Sequence, residues 1–170
     1  MNMNKIGFLS LGLIGGSIAL ALRQISPAAQ IIAYARRQST LDEAAAAGAI
    51  DMGTTEINEL FSDCDMIFLC APVAVNNKFL AQLKPFLSDK TILTDVGSVK
   101  GSIHETISGL GLDNQFIGGH PMAGSEKTGF SNANPVLLEN AYYILTPTET
   151  VSKEAIDAYS SLVKKMGAIP

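Results

Sequence analysis

The stretch LSLGLIGGSIALAL, Leu9 to Leu22, admits two incompatible readings. It lies in a run from Ile6 to Leu22 without one charged side chain, and it holds a small-x-small triplet, Ala19-Leu20-Ala21. As an export signal it would need a flexible basic start and an unbroken apolar stretch. Only Met1 to Asn4 precede Lys5, and Gly7, Gly12, Gly15 and Gly16 interrupt the run. Those glycines weaken an export helix but suit a strand, a tight turn and a helix in succession. With Ile6 to Leu9 as the strand, Ser10 to Gly12 turn and the helix begins near Leu13. Gly12 then lets the backbone approach a pyrophosphate, and Gly15 lets the helix pack on the strand. The opening turn of the helix, with Leu13 and Ile14, offers unpaired N–H groups and a partial positive charge to the anion. The export reading fails.

Outward from this stretch, apolar β-rich runs alternate with helical patterns. Gln30 to Ala35 reads as a strand and Ser39 to Ala47 as a helix ended by Gly48. Asp65 to Cys70 is a nearly continuous apolar run, closed by Ala71-Pro72-Val73, and fits a parallel strand buried on both faces. Asn77 to Leu87 reads as a helix, Thr91 to Asp95 as a strand, and Lys100 to Ser108 as a helix. Phe116 to Gly118 and Tyr142 to Leu145 read as strands, and Ser152 to Met166 as a closing amphipathic helix. This alternation predicts an α/β fold: a Rossmann-type doubly wound, mainly parallel sheet with helices on both faces. In such a sheet ligands bind beyond the carboxyl ends of the strands, which puts Ala71, Pro72 and Val73 on the cofactor side.

Composition sets further bounds. The 170 residues suffice for one domain, 1–170, with a substantial core. A net charge of -4 argues against nucleic-acid binding or a polybasic membrane surface, though a local pocket for a small anion stays compatible. Cys64 and Cys70 stand at opposite ends of one expected strand, roughly 20 Å apart in extended chain. They cannot bridge, so free thiols and a reducing, cytoplasmic setting are expected. No zinc-type cysteine spacing occurs, and no metal is expected. The terminal Gly167-Ala168-Ile169-Pro170 looks like the lead into another strand, so a further domain is expected after residue 170.

The second strand ends in Tyr34-Ala35-Arg36-Arg37-Gln38-Ser39-Thr40. The acidic residue that binds the ribose hydroxyls of NAD is missing. Two guanidinium groups stand where a 2′-phosphate would sit, and such forks bind phosphate well. Ala35, Arg36 and Arg37 therefore favour NADP, with NAD as the alternative. The plainer reading of the arginines is a solvated pair at a strand end.

Two more stretches fall at carboxyl ends of strands. One is DVGSVKG, Asp95 to Gly101; the other is GGHPMAGSE, Gly118 to Glu126. His120 is the acid–base candidate, because free imidazole titrates near neutrality and Pro121 keeps the preceding backbone extended. Ser98 could bond a substrate hydroxyl or cap the following helix. Glu126 could pair with a basic group, gate the cleft, or be a solvated loop carboxylate. His104, among Ser, Glu and Thr on an expected helix, reads as a surface residue.

LSLGLIGGS, DVGSVKG and above all GGHPMAGSEKTGF resemble the prephenate and arogenate dehydrogenase family of tyrosine biosynthesis, in order and over essentially the whole chain. The resemblance implies that His120 is the catalytic histidine, Ser98 the substrate-hydroxyl serine and Glu126 the active-site glutamate. It implies a helical substrate and dimerisation domain following this one, and a homodimer for the full-length protein. YARRQST is similar to NADP-using members, whereas Ser10 departs from the usual first glycine of the loop. The implied reaction is oxidative decarboxylation of prephenate or arogenate. Another Rossmann dehydrogenase acting on a β-hydroxy acid, which would use lysine, and a non-catalytic NADP-binding module are the rivals.

Overall fold

The computed structural model describes residues 3–170. Five parallel strands make the main sheet: β1 (Lys5–Leu9), β2 (Gln30–Tyr34), β3 (Met52–Thr54), β4 (Met66–Leu69) and β5 (Ile92–Asp95), in the order β3-β2-β1-β4-β5. The chain runs outward from β1 to β3, then returns to build on the other side of β1. That reversal opens a crevice between the carboxyl ends of β1 and β4, where ligands of such sheets bind. The Cys70 N–H donates to the Leu9 carbonyl at 2.9 Å and sets the floor of the crevice.

Side chains alternate between two cores, as the pleat requires. Ile6, Phe8, Ile31, Met66, Phe68 and Ile92 pack with α1 (Leu13–Ile25), α2 (Gln38–Ala46) and α5 (Lys153–Lys165). Leu9, Ile32, Ile67, Leu69 and Leu93 face α3 (Val73–Leu83) and α4 (Gly101–Leu110). Both faces are covered, so the central strands are apolar throughout and give no alternation in the sequence. The Phe8 and Phe68 rings stack across β1 and β4, with centroids 5.0 Å apart.

The helix ends follow local chemistry. The Ser152 hydroxyl accepts the Ala155 N–H at 3.2 Å and caps α5, whose last turn carries Lys164 and Lys165. Gly111, with φ of 68°, closes α4 in the left-handed conformation glycine favours. Arg23, in the last turn of α1, pairs with Asp51 at 2.6 Å and ties that helix to the approach to β3.

Several expectations are corrected. α3 begins at Val73 instead of Asn77, because Pro72 occupies its N-cap, and it gives way to a single 3-10 turn at Lys84–Phe86. β3 is an additional short strand, largely exposed. β6 (Ile117–Pro121) and β7 (Tyr143–Pro147) pair antiparallel and form a separate ribbon. It joins the main sheet through one parallel bridge, Leu93 with Phe116. Ile169 forms a parallel bridge with Tyr142, so the residues after Gly167 do pair as a strand would. His104 is half-buried, its ring edge-on to Phe116 at 5.1 Å, so it belongs to the packing under β6 and not to the open surface.

Cys64 and Cys70 are free thiols, and burial pushes the Cys64 thiol up to about 12 and the Cys70 thiol well above its ordinary range. No helix among the described residues is long and apolar enough to cross a membrane.

The junction of β1 with α1 generates a direct prediction. A Cβ at Gly15 would lie 2.8 Å from the Ser10 carbonyl oxygen and 2.9 Å from the Cys70 Cβ. Gly15→Ala is expected to cost about 1–3 kcal/mol of stability by forcing helix and strand apart. A lowered midpoint of thermal unfolding would bear this out, and a midpoint unchanged from wild type would refute it.

Candidate active site

The glycine loop leaves β1 through Ser10, whose φ is 80° and whose N–H donates to the Tyr34 carbonyl at 2.9 Å. A left-handed conformation costs a non-glycine residue about 1–2 kcal/mol, so the serine stores strain at a position where glycine would be relaxed. Gly12 is the N-cap of α1, and a Cβ there would meet nothing within 4 Å. The turn therefore presents bare backbone to open space. No side chain caps α1, and no acidic residue stands in its first turn. The N–H groups at its start, those of Leu13, Ile14 and Gly15, have no intrahelical acceptor, which suits an anion.

A cleft of ≈ 770 Å³ runs along this loop. One wall is the end of β2, with Tyr34, Ala35, Arg36 and Arg37, continuing to Thr40 and Glu43 of α2. Both arginines are exposed. Ala71 and Pro72 form the opposite wall, with Val75 and Phe79 of α3 behind them. Tyr34 and Phe79 meet edge to face at 5.1 Å and give the cleft an aromatic side.

The Ala71–Pro72 turn is held from beneath by Asn76, which is fully buried. Its Oδ1 accepts the Ala71 N–H at 3.1 Å, while its Nδ2 donates to the carbonyls of Leu69 (3.1 Å) and Ala71 (2.8 Å). Val73 does not line the cleft; its side chain packs against Gly97, where a Cβ would come within 2.8 Å of Val73 Cγ2.

The fourth wall comes from far along the chain. Thr128, Gly129, Phe130 and Ser131 line the cleft. Phe130 sits on α1 where Gly16 leaves room, a Cβ there falling 2.7 Å from the ring. Ser17 fixes the same segment: its hydroxyl donates to the Leu13 carbonyl at 2.7 Å and accepts the Asn134 N–H at 2.9 Å. Asn76 and Ser131 were not singled out from the sequence, whereas Thr128, Gly129 and Phe130 close the stretch GGHPMAGSEKTGF.

The second constellation lies beyond β5. His120 is half-buried on β6, paired with Ile144 of β7, so its backbone is extended as Pro121 requires. Ser98 is exposed in the loop between β5 and α4. It does not cap α4, whose N-cap is Lys100 without any capping side chain, so its hydroxyl is free for another partner. Glu126 is exposed in the loop that follows His120.

At the start of α4, the Lys100 ammonium lies 2.5 Å from Asp95 Oδ2 and 2.6 Å from the Gly97 carbonyl. Burial lowers the Lys100 pKa, against the opposing pull of the Asp95 carboxylate. Asp95 itself is fully buried.

A parallel sheet of this order, with a glycine-lined helix N-terminus at its reversal point, defines a Rossmann dinucleotide-binding domain. The family model of the prephenate dehydrogenase nucleotide-binding domain matches residues 18–169. The chain belongs to that family. It is 39% identical to the prephenate dehydrogenase of Lactococcus lactis subsp. cremoris over 157 residues, covering 91% of this chain and 44% of that protein. The crystal structure of prephenate dehydrogenase from Aquifex aeolicus, in complex with hydroxyphenyl propionate and NAD+, superposes with a TM-score of 0.92 at 32% identity. It covers 99% of this chain and 59% of that one. Synechocystis arogenate dehydrogenase gives 0.89 at 38% identity, over 96% of this chain and 57% of that one. The chain spans about half the length of the curated relatives it matches.

Proposed function

We propose that this chain binds NADP and carries the acid–base half of a dehydrogenase that oxidatively decarboxylates prephenate or arogenate, in the cytoplasmic pathway to tyrosine. A second, substrate-binding domain completes the site, as the greater length of the relatives supports. The observation that carries the reading is the position of His120. It directly follows Gly119, whose N–H donates to Asp95 at the carboxyl end of β5, in a chain whose family is named for this reaction.

The residues fit a dinucleotide. The bare Gly12 backbone and the uncapped start of α1 suit the pyrophosphate. Tyr34, Val75 and Phe79 offer an apolar slot for the adenine end. The preference for NADP over NAD rests on Arg36 and Arg37 and on the missing carboxylate at the end of β2. Ser10, Gly12, Leu13, Ile14, Gly15, Ala35, Ala71 and Pro72 complete the cofactor side, with Val73 holding the loop behind it.

When bound, the nicotinamide supplies the hydride acceptor. His120 accepts the proton of the substrate's ring hydroxyl, and Ser98 orients that hydroxyl by a hydrogen bond. Glu126, on the exposed loop, pairs with a cationic group or closes over the substrate. Loss of carbon dioxide makes the ring aromatic and the reaction strongly downhill. The chain's contribution is alignment and proton removal.

Two experiments test this reading. In the whole protein, His120→Asn keeps a polar side chain of similar reach but removes the base, so kcat should fall about 10²–10⁴-fold with cofactor affinity unchanged. A mutant that loses NADP binding and keeps kcat would make His120 structural. For the cofactor, Arg36→Ala with Arg37→Ala should weaken NADP by about ten- to hundredfold and NAD far less, because only NADP has a 2′-phosphate to lose. Equal losses in parallel titrations would remove the phosphate site.

A further inference from the structure

We propose that Asp95 is a positioning residue: its buried carboxylate locks the Ser98 loop and the His120 strand into one unit. The inference rests on the reading of Ser98 and His120 given above. Asp95 is the last residue of β5 and has no solvent exposure. Its Oδ2 accepts the Gly97 N–H at 3.0 Å and the Lys100 ammonium at 2.5 Å. Its Oδ1 accepts the Gly119 N–H at 3.2 Å. Ser98 directly follows Gly97, and His120 directly follows Gly119. One carboxylate thus holds the backbone immediately before both residues.

The sheet makes this bond necessary. A single bridge, between Leu93 of β5 and Phe116 just before β6, meets the main sheet, and β6 then pairs with β7. Past Phe116 no main-chain ladder fixes β6 against the main sheet, and the Asp95 side chain takes over that task. The approach is close enough to demand glycine. A Cβ at Gly119 would lie 2.7 Å from the Asp95 carbonyl oxygen, 2.9 Å from the Tyr143 ring and 3.0 Å from the Tyr159 hydroxyl.

Lys100 completes the clamp, bridging Asp95 to the Gly97 carbonyl and closing the loop that presents Ser98. A buried ion pair contributes little net stability, because desolvation offsets its attraction. What it fixes is geometry, and geometry is what a proton transfer between a hydroxyl and an imidazole depends on.

The test is a double-mutant cycle in the whole protein, with Asp95→Asn, His120→Asn and the pair, reading kcat and NADP affinity. Asp95→Asn keeps the shape but loses the charge that holds Lys100. It is expected to lower kcat about 10- to 100-fold with the NADP dissociation constant unchanged, and to add nothing on the His120→Asn background. Wild-type kcat in Asp95→Asn, or a loss that multiplies with that of His120→Asn, would overturn the proposal while leaving His120 as the base. A His120→Asn enzyme with full kcat would instead overturn the underlying reading and this inference with it. Should Asp95→Asn not fold, Lys100→Met decides the matter. It frees the Ser98 loop and leaves the carboxylate its two N–H partners, and the proposal requires the same selective loss of kcat.

Discussion

Helix α1 can lie against β1 and β4 only because residue 15 has no side chain: the Ser10 carbonyl and Cys70 come within 3 Å of where a Cβ would stand. That contact aims the helix N-terminus across the carboxyl ends of β1 and β4, with nothing but backbone between it and the cleft. The neighbouring glycine does a related job on the outer side of the helix, where Phe130 and Ala133 fill the space above Gly16. Two adjacent glycines thus seat the helix on the sheet below and receive a distant loop above. The anion site and its cover depend on one tetrapeptide turn of helix.

Electrostatics is arranged locally against the sign of the whole molecule. The net charge is -4, yet the cleft brings together an uncapped helix N-terminus and two exposed arginines. Two carboxylates of the chain are committed elsewhere. Asp95 is buried against Lys100 and backbone N–H groups, and Asp51 is paired with Arg23. Glu43 is the acidic residue that shares the cleft wall with the arginines. A local field of this kind recruits a small polyanion without making the protein a general binder of polyanions.

Much of this was legible because it is written in short-range pattern. The glycine spacing, the buried apolar runs and the doubly wound alternation each depend on a few consecutive residues. β3 escaped notice because Met52-Gly53-Thr54 is short, largely exposed and without an apolar run. The antiparallel course of β7 escaped because residue types do not state strand direction. Pro72 was read as the end of a strand, whereas it starts α3. The site was legible in its chemistry and not in its wiring. Asp95 reads as the end of a strand and Lys100 as the start of a helix, five residues apart, and only the fold shows that they pair. Phe130 and Ser131 reach the cleft from more than a hundred residues after the glycine loop, a distance no local pattern spans.

The central claim is that a dinucleotide lies across the start of α1, between the end of β2 and the Ala71–Pro72 turn. Backbone amide NMR of the 15N-labelled chain during an NADP titration tests it most directly. The account predicts saturable shifts at Gly12 to Gly15, at Ala35 to Arg37 and at Thr128 to Ser131. It predicts none around Asn4, Ala28 and Lys165, which line a groove of ≈ 400 Å³ elsewhere on the molecule. Shifts gathered in that groove, with the glycine loop unmoved, would contradict it.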